Sequence, residues 1–402
     1  MQPARFTFRQ SFRSMPAAAW ILFGGSFLNR FGTFVVPFLV LYLTSRGFSI
    51  ARAGFATGCY GAGHLGASIV GGWLADRVGR RYTIVISMFS SAVAMMALSQ
   101  ARAYPTICIL TFITGLCAEI YRPAASALIA DLVLPEARVT GYALYRLAIN
   151  LGFASGVATA GFLAKHGFFL LFAGDALSSV LYGVVALAFL PHGIGTTDNK
   201  GQSWMVAIRK AAENRRFVWF LVSSVCITFV IFQFTSSFAL HVKDCGFPPS
   251  TYGSLIALNG VLIVAFELAL TAWTSRRPAR VMIALGFILV GTGFALTGLA
   301  HTVVSLALTI CVWTFGEMIS SPTSAAYVAE VAPVELRGRF MGMWSLTWSI
   351  GLTTGPSLGS LLYAKNPAAL WVLCGILGII STALLMISGS TKVDSLPVAS
   401  GL

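Results

Sequence analysis

Residues 115–123, GLCAEIYRP, place Glu119 and Arg122 three positions apart in a run that is otherwise apolar from Tyr104 to about Ala130. Arg30, Arg146, Asp175, Glu267 and Glu317 stand in equally apolar surroundings. An ionised side chain near the centre of a bilayer costs ~2.5–3.5 kcal/mol or more, so such groups are kept where they pair, line a wet cavity or move protons. The i, i+3 spacing puts Glu119 and Arg122 on one helix face, where each partners the other. Buried carboxylates and guanidiniums can exchange protons or hold a charged ligand. No nucleophile, metal-ligand or phosphate-loop pattern accompanies them. The histidines (His64, His166, His192, His241 and His301) are dispersed, so no enzyme, resident metal or cofactor is expected.

The elements that carry these groups follow from composition. The 402 residues are 57% hydrophobic and 10% charged, with a mean hydropathy of +0.81, outside the range of water-soluble domains. The lipid bilayer is thus a partner, and 40 glycines suit close helix approach. A helix needs roughly 20 apolar residues to cross ~30 Å of hydrocarbon. Twelve stretches qualify: about 17–43, 51–75, 82–100, 104–130, 139–164, 168–190, 217–242, 251–274, 281–300, 303–330, 340–363 and 368–390. The predicted fold class is an all-α integral membrane protein.

An even number of spans leaves both termini on one side. Placing them in the cytoplasm puts most of the Lys and Arg residues there, including Arg77, Arg80, Arg81, Arg276, Arg277 and Arg280, and leaves Arg46, Arg52, Arg102, Lys165, Lys243 and Lys365 outside. The net charge of +14 is therefore read as orientation, and no nucleic-acid partner is expected. The cysteines are scattered singly and read as small buried hydrophobes.

One connection is long. Residues 191–216 are polar and then basic and amphipathic, separating an N-terminal six-helix unit (1–190) from a C-terminal one (217–402). The units repeat each other: Gly47, Phe48, Gly54 and Gly61 recur at the same spacing as Gly246, Phe247, Gly253 and Gly260. Pro123, Arg138, Gly152 and Gly156 likewise recur as Pro322, Arg337, Gly351 and Gly355. Two parallel repeats imply two pseudo-symmetric bundles about an axis along the membrane normal, with a cavity between them.

Between the second and third spans stands GGWLADRVGRRYT. Its Gly72, Asp76, Arg77, Gly79, Arg80 and Arg81 resemble the signature loop of the major facilitator superfamily, G-x-L-A-D-R-x-G-R-R. The twelve spans and the repeat extend the resemblance along the chain. It implies a gating role for the loop, with Asp76 meeting the start of the eleventh span and Asp131 pairing with Arg80 or Arg81. It further implies spans 1, 4, 7 and 10 around a central cavity, hence Arg30, Glu119, Arg122 and Glu317 as substrate or proton site with Arg146 and Glu267 nearby. Of these acids, Glu119 has an adjacent arginine, whereas Glu317 and Glu267 have none in sequence and are the better expected proton carriers. Arg30 either holds an anionic group or locks Glu119.

The chain most resembles the twelve-span drug:proton antiporter branch. The helix-packing pattern of that branch, G-x-x-x-G-P-x-x-G-G, survives in span 5 as Gly152 and Gly156, with Val157 where it has proline, and more fully in span 11 as Gly351, Gly355, Pro356 and Gly359. The resemblance implies a monomeric, proton-coupled carrier of the bacterial inner membrane that exports small amphipathic molecules. The alternative is an uptake symporter for a small anionic nutrient or peptide.

Overall fold

The computed structural model describes residues 12–134, 137–192, 204–274, 276–333 and 336–387, and every element in them is helical. We number the long rods α1 (Ala17–Ser45), α2 (Ile50–Val78), α3 (Arg80–Gln100), α4 (Tyr104–Leu132), α5 (Arg138–Leu163) and α6 (Phe169–Phe189). The second set is α7 (Arg215–Ile231, continued by Phe232–Thr235 and Ser237–Asp244), α8 (Pro249–Thr274), α9 (Ala279–Thr297), α10 (Val303–Val331), α11 (Arg337–Lys365) and α12 (Pro367–Ile387). A short helix, Trp204–Glu213, precedes α7 and buries Ala207 and Ala211 while Arg209 and Lys210 face outward. Residues 193–203 of the expected linker lie outside the described residues.

Among the described residues ten rods are long and apolar enough to cross a membrane. The other two, α2 and α11, are as long but richer in glycine and polar residues, and they pack on each other. Within the first six rods α1 packs on α5, α2 on α4 and α3 on α6; α7–α11, α8–α10 and α9–α12 repeat those pairings. The two sets meet through α2–α11 and α5–α8, which are counterparts under the repeat.

The seam between the sets is tight at the end remote from the termini, here called distal. A side-chain carbon added at Gly61 would meet the Leu352 and Thr353 backbone at 2.5 Å, and Gly54 and Gly58 face Pro356 and Thr353 of the same helix. On the counterpart seam Gly161 and Gly253 lie backbone to backbone. Small residues let helix backbones approach this closely in lipid, where packing replaces hydrophobic drive. Phe38 of α1 adds an edge-on contact to Tyr252 of α8 at 5.1 Å. Toward the terminal end the same helices diverge, and at Gly72 of α2 an added carbon would meet nothing within 4 Å. The molecule is therefore closed distally.

Three rods are interrupted at mid-length, each for a local reason. Pro37 has no N–H for the Thr33 carbonyl, so α1 uncoils between Phe31 and Val35. The Phe34 N–H turns back to the Gly32 carbonyl at 2.6 Å, and the buried Asp175 of α6 lies beside this break together with Thr33 and Val36. In α4, Pro123 cannot bond to the carbonyl of Glu119, and the helix breaks at Ile120. The Ser87 hydroxyl inserts there, donating to the Cys117 carbonyl at 2.5 Å and accepting from the Tyr121 N–H at 3.2 Å. In α7 the Gln233 amide donates to the Phe229 and Gly355 carbonyls across a short 3-10 turn. These breaks expose polar backbone at mid-depth, which lipid does not tolerate unless it lines a cavity or is covered by protein.

Candidate functional site

The interruptions of α1, α4 and α7 converge on a cavity of about 460 Å³ between the two sets of helices. This volume falls within the ~300–1,000 Å³ typical of small-molecule sites. Arg30, Glu119, Arg122 and Glu317, the four residues that the resemblance puts at a central cavity, all line it, and Phe153, Phe232, Phe234, Trp313, Trp344 and Trp348 supply aromatic wall.

One wall is an ion cluster centred on Glu119. Arg30 Nη2 donates to both carboxylate oxygens at 3.0 Å, and Arg122 Nε stands 2.5 Å from Oε2. The Tyr60 hydroxyl donates at 3.5 Å and His64 Nε2 lies 3.7 Å away. The break of α4 just beyond Glu119 lets Glu119 and Arg122 share the cavity face, and the break of α1 just beyond Arg30 brings its guanidinium across. Arg30 also lies over the Tyr121 ring, 5.8 Å from its centroid. Burial differs sharply within the cluster: Glu119 is 4% exposed, whereas the side chain of Arg122 is 45% exposed. Arg30 is thus committed to Glu119, while Arg122 presents the rest of its guanidinium to the cavity.

The opposite wall carries Glu317 of α10. Its carboxylate accepts from Asn259 Nδ2 of α8 at 3.3 Å, and Asn259 also donates to Thr314 Oγ1 at 3.0 Å. Among the described residues it makes no ion pair. Glu267, expected from sequence to share that property, does not: Arg146 of α5 donates to it. The reason is tertiary, because α5 and α8 face each other across the seam and bring an acid and a base from different halves together. Neither Arg146 nor Glu267 lines the cavity, which corrects the expectation that Glu267 is an unpartnered proton carrier.

Of the loop residues expected to gate, Arg80 Nε pairs with Asp131 Oδ2 at 3.2 Å. Arg81 turns instead to the Leu190 carbonyl at 3.4 Å and to His192 at 2.8 Å, tying α3 to the end of α6. Arg77 lies over the Trp73 ring at 5.3 Å. Gly79 has φ +89°, a left-handed value that allows α2 to turn directly into α3. The side chains of Asp76 and Arg337 lie outside the described residues.

The two glycine patterns have one packing task each. Gly152 and Gly156 seat α5 against the backbone of Phe27 and Phe31 in α1; Gly351, Gly355 and Gly359 seat α11 against Thr228, Phe232 and Gln233 in α7. Pro356 sits inside α11 and turns its carbonyl toward Gly54 of α2.

Sequence reasoning did not single out His64 or Asn259. Both stand as polar residues in apolar stretches, the same signal that marked the charged groups, but neutral side chains in spans are too common for that signal to select them. His64 also bonds across the seam, with Nδ1 2.9 Å from Ser349 Oγ of α11. At the distal end the structure brings together His241, Cys245 and His301. His241 Nε2 donates to the Ala300 carbonyl at 2.9 Å, so this group reads as a tether between the end of α7 and the turn after α9.

Comparison with known proteins agrees with this architecture. A family model described as Major Facilitator Superfamily matches residues 22–337 and again 243–400. The uncharacterized MFS-type transporter YqjV of Bacillus subtilis is 25% identical over 353 residues, 85% of this chain and 85% of that protein. The multidrug resistance protein MdtH of Citrobacter koseri is 24% identical over 362 residues, 87% of this chain and 89% of that one. A Na(+), Li(+), K(+)/H(+) antiporter of Planococcus maritimus is 21% identical over 368 residues, 83% and 87% of the two chains. Among solved structures, the nucleoside transporter NupG superposes with a TM-score of 0.81 at 15% identity, covering 93% of this chain and 100% of that one. A POT family transporter in complex with a thioalcohol-conjugated peptide superposes with a TM-score of 0.78 at 16% identity, covering 94% and 99%. At these identities the structural likenesses speak to fold alone.

Proposed function

The chain belongs to the major facilitator superfamily, and from that membership we propose that it is a proton-coupled secondary transporter exporting small amphipathic molecules by alternating access. Family membership makes it a multi-pass membrane transporter and not an enzyme. The observation that carries the finer reading is the contrast between the two cavity walls. Glu119 is paired with Arg30 and Arg122, whereas among the described residues Glu317 faces the same space with an amide and no cation for a partner. A carboxylate without a counter-cation takes up and releases a proton at least energetic cost, so Glu317 is assigned the coupling role. The aromatic wall suits ligands with an apolar body, and the similarity to a multidrug resistance protein supports export.

In this reading the distal end faces outside, as the distribution of Lys and Arg suggests, and the structure is the state that takes up substrate from the cytoplasm. The two halves rock about the cavity, and the proton on Glu317 biases which end is closed. Arg80 and Asp131, with the rest of the α2–α3 loop, shape the cytoplasmic gate.

One observation favours a second reading. The half-exposed Arg122 guanidinium can take a carboxylate or phosphate, as an uptake symporter for a small anionic nutrient or peptide requires. Direction of movement separates the two. In proteoliposomes with an imposed proton gradient, an exporter moves amphipathic dyes against the proton flow, and Glu317→Gln stops that movement while dye binding persists. Co-movement of an anionic solute with protons would establish the symporter instead.

A further inference from the structure

We infer that His64 is the positioning residue through which the charge state of the central cluster controls closure of the distal seam. This role rests on the alternating-access reading above. The imidazole stands where cluster and seam meet: Nε2 is 3.7 Å from Glu119 Oε2, and Nδ1 is 2.9 Å from Ser349 Oγ in the other half of the molecule. One helical turn further toward the distal end, Gly61 packs on the backbone of Leu352 and Thr353. His64 is thus both cavity wall and the innermost part of the closed contact.

The groups around it make this position sensitive to one proton. From α4 it faces Glu119 and Arg122, from α1 Arg30, and on its own helix Tyr60 donates to the same carboxylate. From α11, among the described residues, it meets the buried Ser349 hydroxyl. A neutral ring with its proton on Nε2 faces Glu119 as a donor and accepts the Ser349 hydroxyl proton on Nδ1. Adding a proton at Nδ1 turns that nitrogen into a donor and reverses the bond to Ser349, so the hydroxyl must rotate. The larger effect is electrostatic: three cations then surround one carboxylate, and the new one sits on an imidazole that the closed seam leaves only 17% exposed, where a charge is poorly solvated and like charges repel. Parting α2 from α11 hydrates the imidazolium and relieves that repulsion. A proton arriving at His64 therefore favours distal opening, and its departure favours the closed form.

The test reads the seam directly, without substrate. Spin labels placed at Arg52 and Lys365, at the exposed distal ends of α2 and α11, report their separation in a cysteine-free background by double electron–electron resonance. Wild type is expected to shift toward the longer distance on acidification across the histidine range, roughly pH 8 to pH 5. His64→Gln keeps an amide able to bond to Ser349 and Glu119 but cannot titrate, and is expected to lose most of that shift. Ser349→Ala leaves the imidazole in place and is expected to raise the long-distance population already at high pH. A wild-type distance that ignores pH, or a His64→Gln profile that overlays wild type, overturns the inference. Because no transport is measured, a failure of proton-driven export in the Glu317 experiment leaves this readout intact, so the two proposals fail separately.

Discussion

Arg30 on α1 directs one guanidinium nitrogen, Nη2, at both carboxylate oxygens of Glu119 on α4, 3.0 Å from each, with both side chains almost fully buried. This is a lock between two helices that both break beside it, and it leaves Arg122 as the cluster's cation facing the cavity. Desolvation offsets much of the attraction in such a pair, so its net contribution is modest, but removing one partner strands a buried charge.

Arg30→Met is therefore expected to destabilise the protein, but by less than the ~3–5 kcal/mol of a fully stranded buried charge, because Arg122 stays beside Glu119. Arg30→Met combined with Glu119→Leu is expected to recover most of that loss, because no buried charge then remains unpaired. Thermal unfolding of the purified protein in detergent measures both. Equal loss in the single and double variants would show that the cluster is held by packing rather than by charge.

The distal seam tests the closed state by sterics. Gly61→Val puts a branched side chain into the Leu352–Thr353 backbone and is expected to hold the distal end open, making distal cysteine probes more reactive. Gly72→Ala adds its carbon to open space and is expected to leave the stability within about 0.5 kcal/mol of wild type, as surface changes do. Should Gly61→Val leave probe reactivity unchanged, the seam is not the gate.

Arg146 and Glu267 join α5 to α8 across the halves, but Arg146 is half-exposed, so solvent screening limits the pair to about 0.2–1 kcal/mol. Arg146→Glu alone is expected to slow transport by opposing Glu267, and the exchanged pair Arg146→Glu with Glu267→Arg to restore it. A double-mutant cycle on initial rates measures the coupling. Failure of the exchanged pair to exceed Arg146→Glu would mean that each residue acts through other groups.

Trp344 and Trp348 lie edge-on to each other, and Trp348 edge-on to Phe232, on the cavity wall. Each Trp→Ala change is expected to weaken binding of an aromatic substrate roughly tenfold, equal to ~1.4 kcal/mol, with unfolding little affected. Tryptophan fluorescence titration, checked by calorimetry, reads the affinity. Unchanged affinity in both variants would place the substrate elsewhere.

Much of the fold was legible before any coordinates. Bilayer thickness sets a length that apolar runs must meet, so the spans appear as composition, and the duplication appears as glycines, prolines and arginines recurring at fixed spacing. The breaks in α1 and α4 lie one turn before Pro37 and Pro123, whose missing N–H permits them, but Pro322 and Pro356 sit inside unbroken helices, so proline by itself does not announce a break. The break in α7 has no proline and depends on Gln233 reaching Gly355 of another helix, so only packing reveals it.

The intramembrane charges were equally visible, because burying them is costly enough to need a reason wherever they stand. The reason itself was not visible. Glu119 and Arg122 could be paired from spacing, since i, i+3 neighbours share a helix face. The commitment of Arg30 to Glu119 and of Glu267 to Arg146 each joins residues far apart in the chain. Ionic and hydrogen-bonded contacts act over a few ångströms, and distances of that size between separate helices are set by how glycine-lined faces nest. Sequence alone thus determined that this chain crosses a membrane in two matched halves with charge held inside. Tertiary packing decided which charges neutralise one another, that Glu317 is left with an amide for a partner, and that the distal end is the one closed.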